Sequence, residues 1–500
     1  MGLSFGRTIM KLTSETLAHL PETILTSPYD RQKVTAGIAH LSVGNFHRAH
    51  QAVYTDRALA LPGQENWGIV GIGLMDVPSE VQKAEALQAQ SGLYTLRECP
   101  AGRPDVVRVV KSLVEYIHAP ADRAAALKRL TDPAIRIVTM TITEGGYYMD
   151  EAGHFMTDHP AIAADLKRDV PESVFGLLTE ALRLRREAGV NAFTILSCDN
   201  VPSNGEIARR AVLSFARLKD DELADWISRN VAFPSCMVDR ITPAVGPADI
   251  ERLNRESGIE DRAPLFCEDF IQWVVEDKFP EGRPAWENVG VLFTDNVEPY
   301  EQVKLRMLNA SHSMLALPAV LMGYRFVSEA MEDENLFRLL QQFLGFDSEP
   351  QLNAPPGMSL PEYGALLLQR FRNKAVSDQL LRIASDSTSK LPVFVRPTAE
   401  TVVQDNGDMR RIAFLLACYC TYLGGFDDKG TEFPVTEPRL SKEDRALAGS
   451  SDPAKALDMS VFAGWGLTDN PEFVRLFVEM RISLQDRRTA ETLVDVISPR

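Results

Sequence analysis

The sequence predicts an α/β domain followed by a mostly α-helical one, and three observations predict it. Up to about residue 277, short runs rich in apolar and β-branched residues alternate with helical stretches. A compact apolar run, a tight turn and a helix open that series between Gly37 and about Ala60. Residues 278–299 then hold three prolines and several turn formers, and helices separated by Pro- and Gly-containing loops follow. The domains are accordingly drawn at 1–290 and 291–500. Five hundred residues exceed what one hydrophobic core usually holds, so a division is expected.

Residues 1–33 read as a polar lead with short amphipathic pieces. Gly37-Ile-Ala-His-Leu-Ser-Val43 reads as a strand, and Gly44-Asn-Phe-His-Arg-Ala-His50 turns from it into a helix. Strand, tight turn and helix are the opening unit of a Rossmann-type dinucleotide-binding fold. A helix N-terminus facing a pyrophosphate needs close backbone approach, which Gly44 permits. Ser42 stands where a first glycine is usual, so the fingerprint is incomplete. Val43, Gly44, Asn45 and Phe46 make the candidate cofactor turn, and Arg48 is placed to add a charge-assisted contact to phosphate. His47 and His50 are three apart with His40 nearby, but no Cys cluster or Glu-x-x-His pattern accompanies them. They read as packing residues, and no metal is expected.

Trp67–Met75 reads as the second strand, with Asp76 at its end. An acid there accepts hydrogen bonds from the adenosine ribose and repels a 2′-phosphate, which favours NAD over NADP. The alternative is a turn or helix N-cap aspartate. The gap from Gly44 to Asp76 exceeds the usual spacing of about twenty residues and implies an insertion. Val106–Tyr116 and Ile135–Ile142 read as further strands. The latter runs into Thr143-Glu-Gly-Gly-Tyr147, which puts Glu144 at a strand's carboxyl end, where ligands sit in open α/β sheets. Ser173–Glu187 is an amphipathic helix and Asn191–Ser197 the next strand. Asn200 follows, either a hydrogen-bond donor to a reacting oxygen or a turn asparagine. Met237–Pro243 reads as a short strand whose Asp239 is either a partner of Arg240 or a site residue, because a carboxylate among apolar residues is costly unless paired.

The second domain is predicted to lead with one long helix over Tyr300–Met331, with a possible kink at Pro318. Helices at Glu334–Leu344, Leu360–Arg372, Ser377–Ser385, Asp408–Leu423, Lys442–Ala448 and Glu472–Leu484 follow. Lys304, Asn309 and His312 interrupt the apolar pattern of the leading helix. At about 100° per residue, Asn309 lies roughly 140° and His312 roughly 80° around from Lys304, and the axial span is about 12 Å. That arrangement suits three groups gripping one small molecule, with the lysine as base and the other two as donors. The alternative is a solvated face. Glu301, one turn earlier, is either a surface partner of Lys304 or a relay for its proton.

The net charge of −16 argues against nucleic acid or anionic membrane as a partner. No run of 18 apolar residues occurs, so no membrane span is expected. The six cysteines form no CxxC and read as core thiols of a reducing compartment, which points to the cytoplasm. The N-terminus lacks an apolar signal region, and Met1-Gly2 is a weak match to a myristoylation site.

Lys304-x-x-x-x-Asn309-x-x-His312 resembles the signature of the polyol-specific long-chain dehydrogenases, the family of mannitol 2-dehydrogenase. GNFHRAHQAVYTD at Gly44–Asp56, TITEGGYY at Thr141–Tyr148, SCDNVPSNG at Ser197–Gly205 and MVDRITP at Met237–Pro243 match in order, as does SDQLLRIASDSTSKLP at Ser377–Pro392. The resemblance implies metal-independent, NAD-dependent interconversion of a sugar alcohol and its ketose, with mannitol and fructose first. It implies Lys304 as general base, Asn200 and Asn309 at the reacting oxygen, and His312, Asp239, Arg382 and Lys390 on the other hydroxyls. By residues alone, Arg382 and Lys390 would be surface cations. Arabinitol 4-dehydrogenase and the fructuronate and tagaturonate reductases share these core residues, and a catalytically silent NAD-binding sensor is the reading from another class. A monomer or weak homo-oligomer is expected.

Overall fold

The computed structural model describes residues 9–150 and 153–499, and these divide into two compact units at Glu298/Pro299. The Met1-Gly2 reading lies outside the described residues.

The first unit is built on a five-stranded, all-parallel sheet. Its strand order is Leu113–His118, Gly68–Gly73, Ala36–Leu41, Ile137–Met140, Thr194–Ser197. The earliest of these five strands in the chain is central, with Leu41 level with Ile72 on one side and Met140 on the other. Every residue of Ala36–Leu41 and of Gly68–Gly73 is buried, as expected when helices cover both faces of a parallel sheet. Glycine is required at Gly71, where a Cβ would come within 2.7 Å of Val43 Cγ2. Strand order reverses beside Ala36–Leu41, so its carboxyl end and that of Ile137–Met140 form the switch point where such folds bind ligands. Arg185 fixes the opposite end of the sheet, donating to Leu130, Asp132, Ile135 and Asn191 carbonyls at 2.7–3.1 Å.

Two expectations need correction. The single strand read over Val106–Tyr116 is two. Val106–Val110 pairs antiparallel with Tyr94–Cys99 in a four-stranded sheet, and Leu113–His118 joins the central one. Lys111 and Ser112 make the break: Lys111 N donates to Asp56 Oδ1 and Ser112 Oγ to the Ala52 carbonyl. The lead is also more than a polar tail. Met10–Lys11 pairs with Ile259–Glu260, Ile24–Thr26 pairs with Val107–Val109, and Leu12 and Ile24 are buried with Leu93, Val109 and Ile259.

The second unit is helical. Its leading helix is continuous from Glu298 to Leu321 but is not regular: α-helix over Glu298–Val303, π-helix over Lys304–Asn309, α-helix again over Ala310–Leu321. Pro318 lies inside the last stretch, and the helix ends at Met322 and Gly323, whose φ is +88°. It therefore stops ten residues short of the expected Met331, and a separate turn spans Val327–Ala330. Helices at Ser387–Phe394, Arg396–Gln404 and Thr489–Ile497 had no counterpart in the sequence reading. The π segment is the consequential difference. Its i→i+5 bonding widens the turn, so angles laid out at about 100° per residue do not apply there.

Candidate active site

In the first unit, the chain leaves Ala36–Leu41 through Ser42, whose φ is +68°. That is the left-handed conformation a glycine would adopt at no cost. The turn is therefore made by geometry where the glycine pattern is incomplete. Gly44 caps the helix Asn45–Ala49, and a Cβ added at Gly44 would meet open space. Helix amides and a bare Cα at the switch point fit a pyrophosphate. Val43 is buried, and Phe46 stacks on His50 with ring centroids 4.9 Å apart.

Arg48 lies behind the same turn. Its Nη1 donates to the Ala263 carbonyl at 2.7 Å and its Nη2 to Asn45 Oδ1 at 2.9 Å, and the side chain is buried against Tyr94. Those two nitrogens brace the turn, and its Nε is a buried atom without a partner within the protein. His40 and His47 stack face to face with centroids 3.4 Å apart. His40 lies between Thr139 Oγ1 and Thr141 Oγ1 at 2.7 and 3.0 Å, and burial pushes its pKa down to about 3. Among the described residues, no group of three or more His, Cys, Asp or Glu side chains is placed to hold a metal.

Asp76 is exposed, just past Gly68–Gly73. The N-cap of the next helix is Val77, so the capping alternative for Asp76 does not hold. Glu144 is exposed at the start of a 3₁₀ turn over Glu144–Tyr147. That turn is held by a residue the sequence reading passed over. Asp199 Oδ1 accepts from Thr143 N at 2.8 Å, and its Oδ2 accepts from Ile142 N at 3.1 Å and Tyr147 OH at 2.7 Å. Burial outweighs these donors and pushes the Asp199 carboxyl up to about 6. The turn needs such an anchor because Thr143 and Tyr148 have φ of +60° and +53°. On the other side, Asn204 Nδ2 donates to the Asp199 and Cys236 carbonyls while its Oδ1 accepts from Cys236 N. Asn200 is exposed on the loop between these anchors. Asp239 is buried at the end of strand Cys236–Asp239, opposite Gln272. Its neighbour Arg240 pairs with Glu98 at 2.7 Å and with the Ala49 and Glu268 carbonyls.

In the second unit, Lys304 and Asn309 bound the π segment, and His312 follows on the next turn. Lys304 is 5% and Glu301 8% exposed, so the solvated-face and surface-pair alternatives do not hold. Asn309 Oδ1 and His312 Nε2 are buried atoms without a hydrogen-bond partner within the protein. Buried polar atoms are rarely left so, and they mark a place where a ligand's hydroxyls would be gripped. His312 stacks on Phe371 at 4.1 Å. Burial first, then the charges of Arg382, Arg370, Lys304 and Lys390, hold its pKa well below the usual histidine value. The imidazole is therefore neutral, able to donate from one nitrogen and accept at the other.

The charges of Lys304, Arg382 and Lys390 are thus all felt at this one histidine. Arg382 forks onto Asp378 at 2.6 and 2.8 Å, and Lys390 Nζ donates to the Ile383 and Ser385 carbonyls at 2.9 and 2.6 Å. Arg370 is the residue the sequence reading missed. It is buried on helix Leu360–Phe371 with Leu360, Tyr363, Leu367 and Phe371. A cation at helical spacing on that apolar stripe was the available signal.

The chain matches two family models: the mannitol dehydrogenase Rossmann domain over residues 36–288 and the mannitol dehydrogenase C-terminal domain over residues 296–484. It is 45% identical to a polyol:NADP oxidoreductase of Gluconobacter oxydans over 478 residues, 95% of this chain and 98% of that one. It is 42% identical to a mannitol 2-dehydrogenase of Cereibacter sphaeroides over 439 residues, 87% and 91% of the two chains. Among solved structures it resembles the Pseudomonas fluorescens mannitol 2-dehydrogenase ternary complex with NAD and D-mannitol. The identity is 40% and the TM-score 0.90, covering 98% of this chain and 99% of that one.

Proposed function

We propose, for a chain that belongs to the mannitol dehydrogenase family, that it is an NAD-dependent polyol dehydrogenase interconverting a sugar alcohol and its ketose, D-mannitol and D-fructose first among them. The observation that carries this reading is the set on the leading helix of the second unit: a buried Lys304 with Asn309 Oδ1 and His312 Nε2 buried and unpartnered nearby in sequence.

Lys304, as the neutral amine, takes the hydroxyl proton of a secondary alcohol. Asn309 and Asn200 steady the oxygen as it gains negative charge. His312, neutral, bridges hydroxyls of the polyol, and Asp239, Arg382 and Lys390 orient the rest of the chain. Glu301, buried one turn before Lys304, passes the proton onward. A bound nicotinamide would supply the hydride acceptor for the carbinol carbon. Val43, Gly44, Asn45 and Phe46 place the dinucleotide, with Asp76 at the ribose and Glu144 on the turn held by Asp199. Two amides and an ammonium supply the charge stabilisation, so no metal is called for. The NAD-linked structural relative supports NAD, whereas the polyol:NADP relative keeps the choice of nucleotide a matter for measurement. The cytoplasm is the proposed location, and a small-molecule polyol the proposed partner of a monomer or weak homo-oligomer. Among the described residues no helix is long and apolar enough to cross a membrane.

One observation favours a second reading of the substrate. Arg370 is the additional cation that a carboxylate-bearing hexuronate would need. A single assay addresses both readings: reduced-nucleotide formation with NAD and mannitol, arabinitol or sorbitol, and its consumption with fructose, fructuronate or tagaturonate. Turnover of mannitol well above the others supports the first reading, and preference for a uronate the second. Binding of NADH with no turnover of any of them contradicts both and leaves a sensor.

A further inference from the structure

Beyond the end of strand Gly68–Gly73, Asp76 shares a small cavity of about 180 Å³ with Leu74, Ala119, Arg123, Glu172 and Leu177. Whole-ligand pockets run to roughly 300–1,000 Å³, so this one takes a piece of a ligand. Its position is where a doubly wound sheet reads the adenosine ribose. Its one guanidinium is already engaged. Arg123 Nη2 lies 2.9 Å from Glu172 Oε1, and Glu172 Oε2 lies 2.9 Å from Arg168 Nη1.

We infer that Glu172 is a second determinant of nucleotide choice, which withholds Arg123 from a 2′-phosphate. The inference rests on the dinucleotide reading above and adds to the role given there to Asp76. A 2′-phosphate carries nearly two negative charges and is held by guanidinium forks. The cavity presents two carboxylates, Asp76 and Glu172, against one arginine, so its wall is net negative. Arg123 begins the helix Arg123–Thr131, whose N-cap Asp122 accepts from Ala125 N at 2.8 Å, so its backbone is fixed while its side chain is 39% exposed and able to swing. Glu172 contributes to its own loop through its backbone, where its N–H donates to Asp165 Oδ1 at 2.9 Å, and Arg168 keeps Asp165 at 3.1 Å. Glu172→Gln therefore removes the charge and the hold on Arg123 while those anchors remain.

The test is the affinity for NADPH relative to NADH, read from nucleotide fluorescence without any substrate, in the full-length protein and its variants. Glu172→Gln should raise the NADPH/NADH affinity ratio about threefold to tenfold, a modest factor because these groups are screened by solvent. Asp76→Ala/Glu172→Gln should exceed Asp76→Ala by a similar factor. Adding Arg123→Ala to the double variant should abolish the gain, and the gain should shrink as salt is raised, which a purely structural effect would not do. An unchanged ratio with Glu172→Gln in both backgrounds, or a gain that survives Arg123→Ala, overturns the inference. Failure of the unaltered protein to bind either nucleotide would overturn the dinucleotide reading itself, and this inference with it.

Discussion

The nucleotide-binding unit and the helical unit make their candidate sites from different material. In the first, the cradle is backbone: Ser42 at φ +68°, the bare Gly44, and a turn with Thr143 at φ +60°. Side chains there brace from behind, as Arg48 does for one turn and Asp199 for the other. In the second, the site is side chains, led by those on one helix whose hydrogen-bonding ladder changes register at Lys304–Asn309. A backbone cradle tolerates substitution of its neighbours so long as the turn survives. A side-chain site loses function group by group. Substitution in the helical unit is thus expected to affect turnover, and substitution in the backbone cradle of the first unit to affect stability and nucleotide preference.

The largest effect should come from Lys304→Ala, which removes the proposed proton acceptor. Turnover in steady-state assays should fall by roughly 10²–10⁴-fold or more with NADH affinity retained. A fall below tenfold would place the base elsewhere. Asn309→Ala should lower turnover by about 10²–10³-fold, as loss of a donor to a developing oxyanion does, with the Michaelis constant changing far less. A change confined to the Michaelis constant would make Asn309 a binding residue only.

On the first unit, the Asp199 carboxyl is raised by burial to about 6, against about 3.9 in an unfolded chain. The folded state therefore holds this proton more tightly. Its contribution to stability is full below about pH 4 and is lost as pH rises through about 6, an effect of roughly 3 kcal/mol. Denaturant titrations from pH 4 to 7 should show that slope, and Asp199→Asn should remove it. A variant with the same slope would mean the proton is held elsewhere. The smallest effect is expected for Asp76→Ala, about tenfold in NADP use relative to NAD. An unchanged ratio would show that another acid makes the selection.

The contrast between backbone cradle and side-chain site also explains what could be read from sequence. The parallel sheet was legible because Ala36–Leu41, Gly68–Gly73 and Thr194–Ser197 lie in short, mostly apolar or β-branched runs between turn residues. The break at Lys111–Ser112 was not, because the contacts that cause it, Asp56 and the Ala52 carbonyl, are more than fifty residues away. Lys304, Asn309 and His312 stood out as polar residues in an apolar helix. The π register between them was invisible, since residue type does not encode an i→i+5 ladder. That Arg48 also reaches the Ala263 carbonyl was not legible, because the partner lies more than two hundred residues away. Arg370 was legible but unread, as a cation on an apolar stripe.

The proposed mechanism turns on an amine of the second unit's leading helix as the proton acceptor. Chemical rescue tests it most directly: turnover of Lys304→Ala with NAD and mannitol, measured as reduced-nucleotide formation across a series of small primary amines. Added amines should restore part of the lost activity, more so as their basicity rises at constant size. Activity that stays at the variant's floor at every amine concentration, in a protein that still binds NADH, would contradict it.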